Sequence, residues 1–416
     1  MHSIFWALIV LSLVAVLMRM DWVYYLIYVV GGVWLFSHWW IRRSLGRIQV
    51  HRAVENRAFP GEILTAQVHV RNHSRLPLPW LHVQEKVPFA LRDATNYRAV
   101  LSVPGQSDIH CDFDYRCTKR GYYEVGPLSL QTGDLFGFVG TEWQESASQS
   151  IIVYPQVVSL EQLGLPSRSP FGGRASKQRL FEDPARLAGV REYAAGDSMR
   201  AIHWKASARE GDLQVKKFQP AIDLNVVLVL DLNRQAYPVL QLVGSSEWGI
   251  VVAASIASHI IGQQRQQVGL ITNGLDPLAT IGDNNPIVEG AVAGQDDSEG
   301  RMADPIPTRN GRGHLMSILT LLARIQLNDL EQPLAQWLPG QLTNLEWGTT
   351  VVVVTPTLDE KGLWMLHNAY RRGSDIVVLL TAPDADFKNM QARGEKLGVQ
   401  LYQAVWEKDL QAVSDG

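Results

Sequence analysis

Two long uncharged segments at the start of the chain constrain its fold more than any other feature. Residues 3–18 and 22–41 contain no Asp, Glu, Lys or Arg, and only Arg19, Met20 and Asp21 separate them. A helix needs about 20 apolar residues to cross a bilayer core, so the second segment is long enough and the first is near the lower limit. The spacing predicts a hairpin of two transmembrane helices over residues 1–43.

Basic residues predict the orientation of this hairpin. A single arginine, Arg19, lies in the turn between the two segments. The four arginines that follow the second segment are Arg42, Arg43, Arg47 and Arg52. Because Lys and Arg near the ends of membrane helices stay on the cytoplasmic side, we expect a two-pass protein of the inner (plasma) membrane. Its soluble domains are then cytoplasmic.

Residues 48–155 have the composition and pattern of a β-rich domain. Alternating apolar and polar residues predict strands near 48–52, 63–70, 80–87, 97–103, 108–116, 121–130 and 150–154. This number of short strands in about 105 residues predicts an immunoglobulin-like β-sandwich. The two cysteines, Cys111 and Cys117, lie too far apart along one predicted strand to form a disulfide, which favours a reducing compartment.

Residues 156–221 are predicted to form a linker followed by a basic block. Between Arg168 and Lys217 there are eleven Lys or Arg and six Asp or Glu, so this segment carries a charge of +5 in a chain with a total of −3. Such a patch needs an acidic counterpart, in the same protein or in a partner. Asp197 is placed to cap a helix over 198–209, which Gly211 ends.

Residues 222–416 alternate between apolar strands and amphipathic helices. Strands are predicted at 224–231, 267–272, 349–355, 375–381 and 399–404, and helices at 246–262, 312–328, 358–373 and 385–397. Near-continuous apolar strands between helices indicate a parallel sheet covered on both faces, a three-layer α/β domain of Rossmann type. Residues 282–311 interrupt the pattern and are predicted to form a surface insertion.

The sequence contains no pattern typical of a catalytic site. His203, Lys205 and Ser207 lie close together, but no glycine-rich turn precedes Ser207 as in hydrolases, and no phosphate-binding loop of the G-x-x-x-x-G-K-[ST] type occurs. We therefore expect no enzymatic activity and no cofactor. Acidic residues such as Glu182 and Glu192 mingle with the basic ones, which argues against nucleic acid as the partner.

The basic block carries a recognisable motif. Residues 191–218 read REYAAGDSMRAIHWKASAREGDLQVKKF. Its R-x-Y, G-D, R-x-I-x-W-K-x-x-A-R and V-K-x-F elements resemble the signature of a bacterial family called "domain of unknown function 58". The resemblance extends over essentially the whole chain. The candidate site residues of this signature are Arg191, Tyr193, Gly196, Asp197, Arg200, His203, Trp204, Lys205, Arg209, Lys216 and Phe218.

The family resemblance implies a function. It implies partnership with a MoxR-type AAA+ ATPase that assembles or remodels protein complexes, and hence a membrane-anchored scaffold or adaptor. The last domain is similar to the von Willebrand factor A domain, whose first strand ends in D-x-S-x-S and holds a divalent cation. This chain has Asp231, but Asn233 and Gln235 replace the serines, and Val354-Thr355-Pro356 lacks the usual acidic residue. Asp231 and Asn233 are therefore expected to be a degenerate site without metal.

The role of the signature remains open between two interpretations. In the structural one, Arg191, Arg200 and Arg209 bind acidic groups of neighbouring domains, and Trp204 is a buried packing anchor. In the other, these side chains dock a protein partner. Two further function classes also remain open: a metal-dependent adhesion module of von Willebrand factor A type, and an envelope-associated enzyme.

Overall fold

A computed structural model gives the architecture of the chain as two compact units. It describes residues 6, 9–10, 12, 21–93, 97–135, 140–145, 148–160, 163, 182–194, 197–220, 225–279, 301–329, 332–343, 345–382 and 386–404. The first unit comprises Met1–Gln156, Asp276–Arg301 and Leu319–Ile325, and the second comprises Val157–Leu275, Met302–Ile318 and Gln326–Gly416.

The first unit begins with helix α1, Asp21–Leu45. Large apolar side chains are exposed along most of the helix, including Tyr25 (72%) and Tyr28 (73%). Its last turns are different, because Ile41 is buried in the core of the β-rich domain and the Trp40 indole donates to the Pro77 carbonyl at 2.9 Å. Most of the first predicted membrane segment, including residues 13–18, lies outside the described residues.

Ten strands follow α1 in the first unit. They are β1 (Ile48–Ala53), β2 (Arg57–Ala58), β3 (Ile63–Asn72), β4 (Leu78–Glu85), β5 (Arg98–Val103), β6 (Asp108–Arg116), β7 (Gly121–Val125), β8 (Leu128–Gly133), β9 (Gly140–Glu145) and β10 (Gln149–Val153). They form three sheets, with strand orders β1-β3-β6, β2-β10-β7 and β5-β4-β8-β9. One apolar core joins all three, so the prediction of a β-rich domain is confirmed. The predicted strand at 121–130 is divided in two at Gly126-Pro127, and β9 was not predicted.

One of the predicted membrane-orienting arginines is instead a core residue. The side chain of Arg52 is only 3% exposed and donates to the buried Glu85 carboxylate at 2.7 Å. Gly126, at φ +101°, passes so close to this pair that a Cβ atom would lie 2.7 Å from the Arg52 guanidinium. Arg52 therefore cannot contact lipid, whereas Arg42, Arg43 and Arg47 are exposed.

The signature region lies in the second unit and differs from its prediction. Strands β11 (Glu182–Glu192) and β12 (Gln214–Pro220) form an antiparallel pair, and β11 was not predicted. Between them come a short 3-10 turn, Met199–Ala201, and helix α2, Trp204–Glu210. The expectation of one helix over 198–209 is therefore wrong, because the chain is extended at Ile202, between the 3-10 turn and α2.

The rest of the described chain forms an α/β domain and a small separate ladder. Its elements are β13 (Val226–Leu230), α3 (Leu242–His259), β14 (Val268–Thr272), β15 (Leu275–Asp276), β16 (Arg301–Met302), β17 (Ile306–Arg309), α4 (Arg312–Arg324), α5 (Leu334–Leu342), β18 (Thr350–Thr355), α6 (Glu360–Arg371), β19 (Asp375–Leu380), α7 (Phe387–Lys396) and β20 (Val399–Gln403). Strands β15 and β16 form a two-stranded sheet, and Leu275 of β15 also forms an antiparallel bridge to Gln326.

The main sheet has the strand order β17-β14-β13-β18-β19-β20. Its strands are parallel except β17, which is an antiparallel edge strand next to β14. Every residue of β13, β14 and β18 is buried, as their unbroken apolar sequences predict for a covered parallel sheet. The five predicted strands are confirmed within two residues. The predicted insertion at 282–311 is wrong at its end, because residues 306–309 form β17.

A single helix in the described chain is long and apolar enough to cross a membrane, and it runs over Val239–Gln264. It includes α3, and 56% of its apolar window is buried inside the protein. The indole of Trp248 in this helix donates to the Ala404 carbonyl just after β20, at 2.8 Å. Its apolar sequence therefore reflects packing in the α/β domain.

Candidate functional site

Asp231 lies at the carboxyl end of β13, where open α/β sheets place their sites. Its side chain is 1% exposed and accepts hydrogen bonds on both carboxylate oxygens. Oδ1 accepts from the Asn273 amide at 2.8 Å and from the Asn233 backbone N–H at 3.1 Å. The Thr355 hydroxyl lies 3.1 Å from Oδ2. The carboxylate thus connects the ends of β13, β14 and β18.

The neighbouring amides continue this arrangement. Oδ1 of Asn273 accepts from the Leu232 N–H at 2.6 Å, and the Asn328 amide donates to the Asn273 carbonyl at 2.8 Å. Oδ1 of Asn233 accepts from the Gln235 N–H at 3.1 Å, so it caps a short turn. We call these residues the Asp231 network: Asp231, Asn233, Asn273, Asn328 and Thr355.

The Asp231 network satisfies its own polar groups. Burial raises the pKa of the Asp231 carboxyl, although the three hydrogen bonds partly oppose this effect. A cation at this carboxylate would compete with the Asn273 amide and the Thr355 hydroxyl for its oxygens. Across the described ranges, no three His, Cys, Asp or Glu side chains are placed together to hold a metal ion. Asn273 directly follows β14 and Thr355 ends β18, at the same sheet edge as Asp231. Neither was predicted as a partner of Asp231.

Asp197 has a different role from the predicted helix cap. Its carboxylate accepts two hydrogen bonds from the Arg191 guanidinium, at 2.6 and 2.7 Å, and one from the Ala194 N–H at 2.9 Å. The hydrogen bond from Arg191 is the main reason why the pKa of Asp197 is lowered. This pair closes the turn after β11, so Arg191 binds a local acid. Gly196 lies outside the described residues.

His203 and Ser207 hold helix α2 in place. Nδ1 of His203 accepts from the Ala206 N–H at 3.0 Å, so the imidazole caps the helix. The buried Ser207 hydroxyl accepts from the Gln214 N–H at 2.8 Å and donates to the His203 carbonyl at 3.1 Å. The Ser207 hydroxyl therefore fixes α2 to β12, and this accounts for its presence without a catalytic role.

The other side of α2 faces solvent. Trp204, Lys205, Ala208 and Arg209 are all exposed, as positions i, i+1, i+4 and i+5 of one helix face should be. Met199 and Arg200 are exposed in the preceding turn. In the described part of the chain, no ion pair involves the three basic side chains of this face. We call it the signature surface: Met199, Arg200, Trp204, Lys205 and Arg209.

Trp204 contradicts the expectation of a buried packing anchor. Its side chain is 66% exposed, as is that of Met199. The buried apolar side chains of the motif are instead Ile202 (2%) and Val215 (3%), which pair across a β-bridge. Tyr193 is exposed at 36%, and Lys216 is half-buried. The side chain of Phe218 lies outside the described residues.

Comparison with known sequences places the signature in a family. Residues 189–284 match the model of a family described as "Protein of unknown function DUF58". The uncharacterized protein YeaD of Bacillus subtilis (strain 168) is 22% identical over 196 residues, which cover 45% of this chain and 46% of YeaD. The chain therefore spans about half the length of this curated relative.

Solved structures give weaker likenesses, all to part of the chain. A CARDB domain from Pyrococcus furiosus, solved in complex with di-metal ions, is 16% identical, with a TM-score of 0.20; the match covers 26% of this chain and 86% of that one. The sporulation control protein Spo0M of Bacillus subtilis is also 16% identical, with a TM-score of 0.16, over 26% of this chain and 49% of its own. Such scores are too low to assign a ligand or an activity.

Proposed function

Because the chain belongs to the DUF58 family through residues 189–284, we propose that it is a membrane-anchored cytoplasmic scaffold whose signature surface docks a protein partner. The partner class that the resemblance implies is a MoxR-type AAA+ ATPase, and the role of the pair is the assembly or remodelling of protein complexes. In this proposal the chain supplies a platform and the partner supplies the ATP-driven work.

The observation that carries the proposal is the exposure of Trp204. A tryptophan buries a large apolar area when it is covered, and Trp and Arg are the residues most enriched among binding hot spots. Here a tryptophan that is 66% exposed lies beside Lys205 and five residues before Arg209 on the same exposed face. An exposed tryptophan flanked by basic side chains that form no ion pair with the described residues suits an acidic protein surface with an apolar residue at its centre.

The α/β domain supports a von Willebrand factor A-like fold for the scaffold. When the six strands of the main sheet are numbered in chain order, their spatial order is 3-2-1-4-5-6, with the third antiparallel to its neighbour. Asp231 ends the first of these strands, as in the metal-binding members of that fold. The Asp231 network favours a rigid platform over a metal-dependent adhesion module, because the carboxylate oxygens already accept hydrogen bonds.

Helix α1 supports the membrane anchor. Its 25 residues extend for about 37 Å, which is long enough for the hydrocarbon core of a bilayer, although α1 is less apolar than Val239–Gln264, the one described helix that is both long and apolar enough to span. Arg42 and Arg43 lie in its last turn, where the positive-inside rule places the cytoplasm. We therefore propose the two-pass topology with a cytoplasmic C-terminus. A C-terminal alkaline phosphatase fusion should be inactive and a C-terminal green fluorescent protein fusion bright; the opposite pair of results would refute the cytoplasmic placement.

Docking can be tested by co-purification with a MoxR-type ATPase from the same genome. The full-length protein, extracted in detergent, should retain the ATPase, and Trp204→Ala should weaken the association about 30-fold, as loss of a hot-spot tryptophan does. Trp364→Ala is the matched control, because Trp364 is a 52% exposed tryptophan of the α/β domain outside the signature surface. Retention of the ATPase by Trp204→Ala at the wild-type level would exclude docking through this surface.

A further inference from the structure

Three histidines lie in a row across one sheet of the β-rich domain. His51 on β1 is directly opposite His69 on β3, and His69 is directly opposite His110 on β6. Directly opposed residues on antiparallel strands share one face, with Cβ atoms about 4.5–5.5 Å apart. The strand register therefore brings together three imidazoles that are far apart in the sequence.

The three imidazoles are accessible and available. His51 and His110 are exposed and His69 is half-buried. The rings of His69 and His110 have centroids 6.2 Å apart and planes inclined by 41°. Among the residues that the structure describes, none of the three rings takes part in a hydrogen bond. Their nitrogen atoms can therefore bind a ligand without breaking an interaction within the protein.

The same face carries acidic neighbours. On β6, Asp108 and Asp112 flank His110 at alternate positions, and both are exposed. Asp108 faces Arg71 at 3.9 Å, whereas Asp112 is opposite the uncharged Gln67. A carboxylate next to the histidine row makes the electrostatic potential there more favourable for a cation.

We propose that His51, His69 and His110 form a surface site for a transition-metal ion such as Zn²⁺. Neutral imidazole binds Zn²⁺, Cu²⁺ and Ni²⁺ well, and three histidines with an open fourth position are a known ligand set for zinc. With the side chains as they stand, no three such groups of the described chain converge on one point. The site closes by rotation about χ1 and χ2, which exposed side chains undergo within nanoseconds.

The proposal predicts a defined pattern among histidine variants. Full-length protein, purified in detergent with a tag that contains no histidine, should bind one Zn²⁺ per chain in a calorimetric titration at about pH 7.5. His69→Gln should lose at least about tenfold in affinity, because the central ligand is removed, and His51→Gln and His110→Gln should each lose less. His82→Gln is the control, since His82 on β4 is opposite Val100 and Gln131.

Two further readouts separate a histidine site from non-specific binding. Cu²⁺ should bind more tightly than Zn²⁺, and binding should weaken in acidic buffer because protons compete with the metal ion for imidazole nitrogen. The thermal unfolding temperature measured in EDTA should be the same for wild type and the three row variants, which shows that the fold is intact. Absence of stoichiometric Zn²⁺ binding to wild type, or equal affinity of wild type and His69→Gln, would overturn the proposal.

Discussion

The Asp231 network and the signature surface are both rich in polar groups, but the groups of the first are buried and hydrogen-bonded and those of the second are exposed. The Asp231 carboxylate is 1% exposed and each of its oxygens lies within hydrogen-bonding distance of a donor. Trp204 is 66% exposed, beside basic side chains that form no ion pair in the described chain. The Asp231 network makes its hydrogen bonds within the fold, whereas the exposed side chains of the signature surface are accessible to a partner.

This contrast shows which property separates structural from functional residues here. Aspartate is a common metal ligand, yet both oxygens of the Asp231 carboxylate already have hydrogen-bond donors. Tryptophan is common in protein cores, yet the Trp204 side chain is exposed to solvent. The two regions therefore differ in whether their polar groups have hydrogen-bond partners within the protein and in how exposed their side chains are, rather than in residue type. The measurements below test this difference.

The largest expected effect is on stability at the Asp231 network. Asp231→Ala leaves the Asn273 amide, the Asn233 N–H and the Thr355 hydroxyl without their buried acceptor, so we expect a loss of about 3–5 kcal/mol in the free energy of unfolding. Urea unfolding of the full-length protein in detergent, followed by tryptophan fluorescence, measures it. Asp329→Ala is the control: Asp329 is a 69% exposed partner of Arg234, and its loss should cost less than about 1 kcal/mol. Equal costs would contradict the network.

A smaller effect is expected on the pH dependence of stability. Burial raises the pKa of Asp231 in the folded protein, so the folded state holds that proton more tightly than the unfolded chain. The contribution of Asp231 to stability must then fall as the pH rises from the unfolded carboxyl pKa through the raised folded one. The free energy of unfolding of wild type minus that of Asp231→Asn should therefore decrease as the pH rises over this range. An increase of this quantity with pH would contradict the burial effect.

Asp197 should show the opposite sign. The hydrogen bond from Arg191 lowers the pKa of Asp197, so the stability that this pair contributes is present above the unfolded carboxyl pKa and is lost as the pH falls through the folded value. Solvent screens this exposed pair, so the change should be small. Melting curves of wild type and Asp197→Asn between pH 3 and 7 test this prediction. A larger stabilisation of wild type over the variant at low pH than at neutral pH would contradict it.

The smallest expected effect is that of Mg²⁺. Both oxygens of Asp231 accept hydrogen bonds, and Oδ1 of Asn233 accepts from the Gln235 N–H. We therefore expect millimolar Mg²⁺ or Mn²⁺ to leave the melting temperature of the full-length protein unchanged relative to EDTA. A ligand that binds only the folded state would raise it. A rise of several degrees in wild type that disappears in Asp231→Asn would show that the network opens to hold a metal ion.

The sequence predicted the centre of the α/β domain well because its strands are buried on both faces. Val226–Leu230 and Thr350–Thr355 are rich in valine and carry no charge, which is typical of a strand that helices cover on both sides. Ile306–Arg309 was missed because an antiparallel edge strand buries little and alternates over only four residues. Gly140–Glu145 was missed for a similar reason: its sequence, GTEWQE, is mostly polar.

The signature region was harder to predict because hydrogen bonds between distant residues decide its shape. Asp197 is a good helix cap by type, but Arg191 and the Ala194 N–H engage its carboxylate instead. The helix then begins at Trp204, and His203 caps it. This shift turns Trp204 to solvent. A helix of seven residues carries too little apolar periodicity to fix which face is buried.

Site-specific photocrosslinking tests the central claim, docking through the signature surface, most directly. A photoreactive phenylalanine analogue replaces Trp204 in one full-length variant and Trp364 in another, and cells that also produce the MoxR-type ATPase are irradiated. Our account predicts a covalent adduct with the ATPase from position 204 and none above background from position 364. Absence of an adduct at position 204, or equal yields at the two positions, would contradict it.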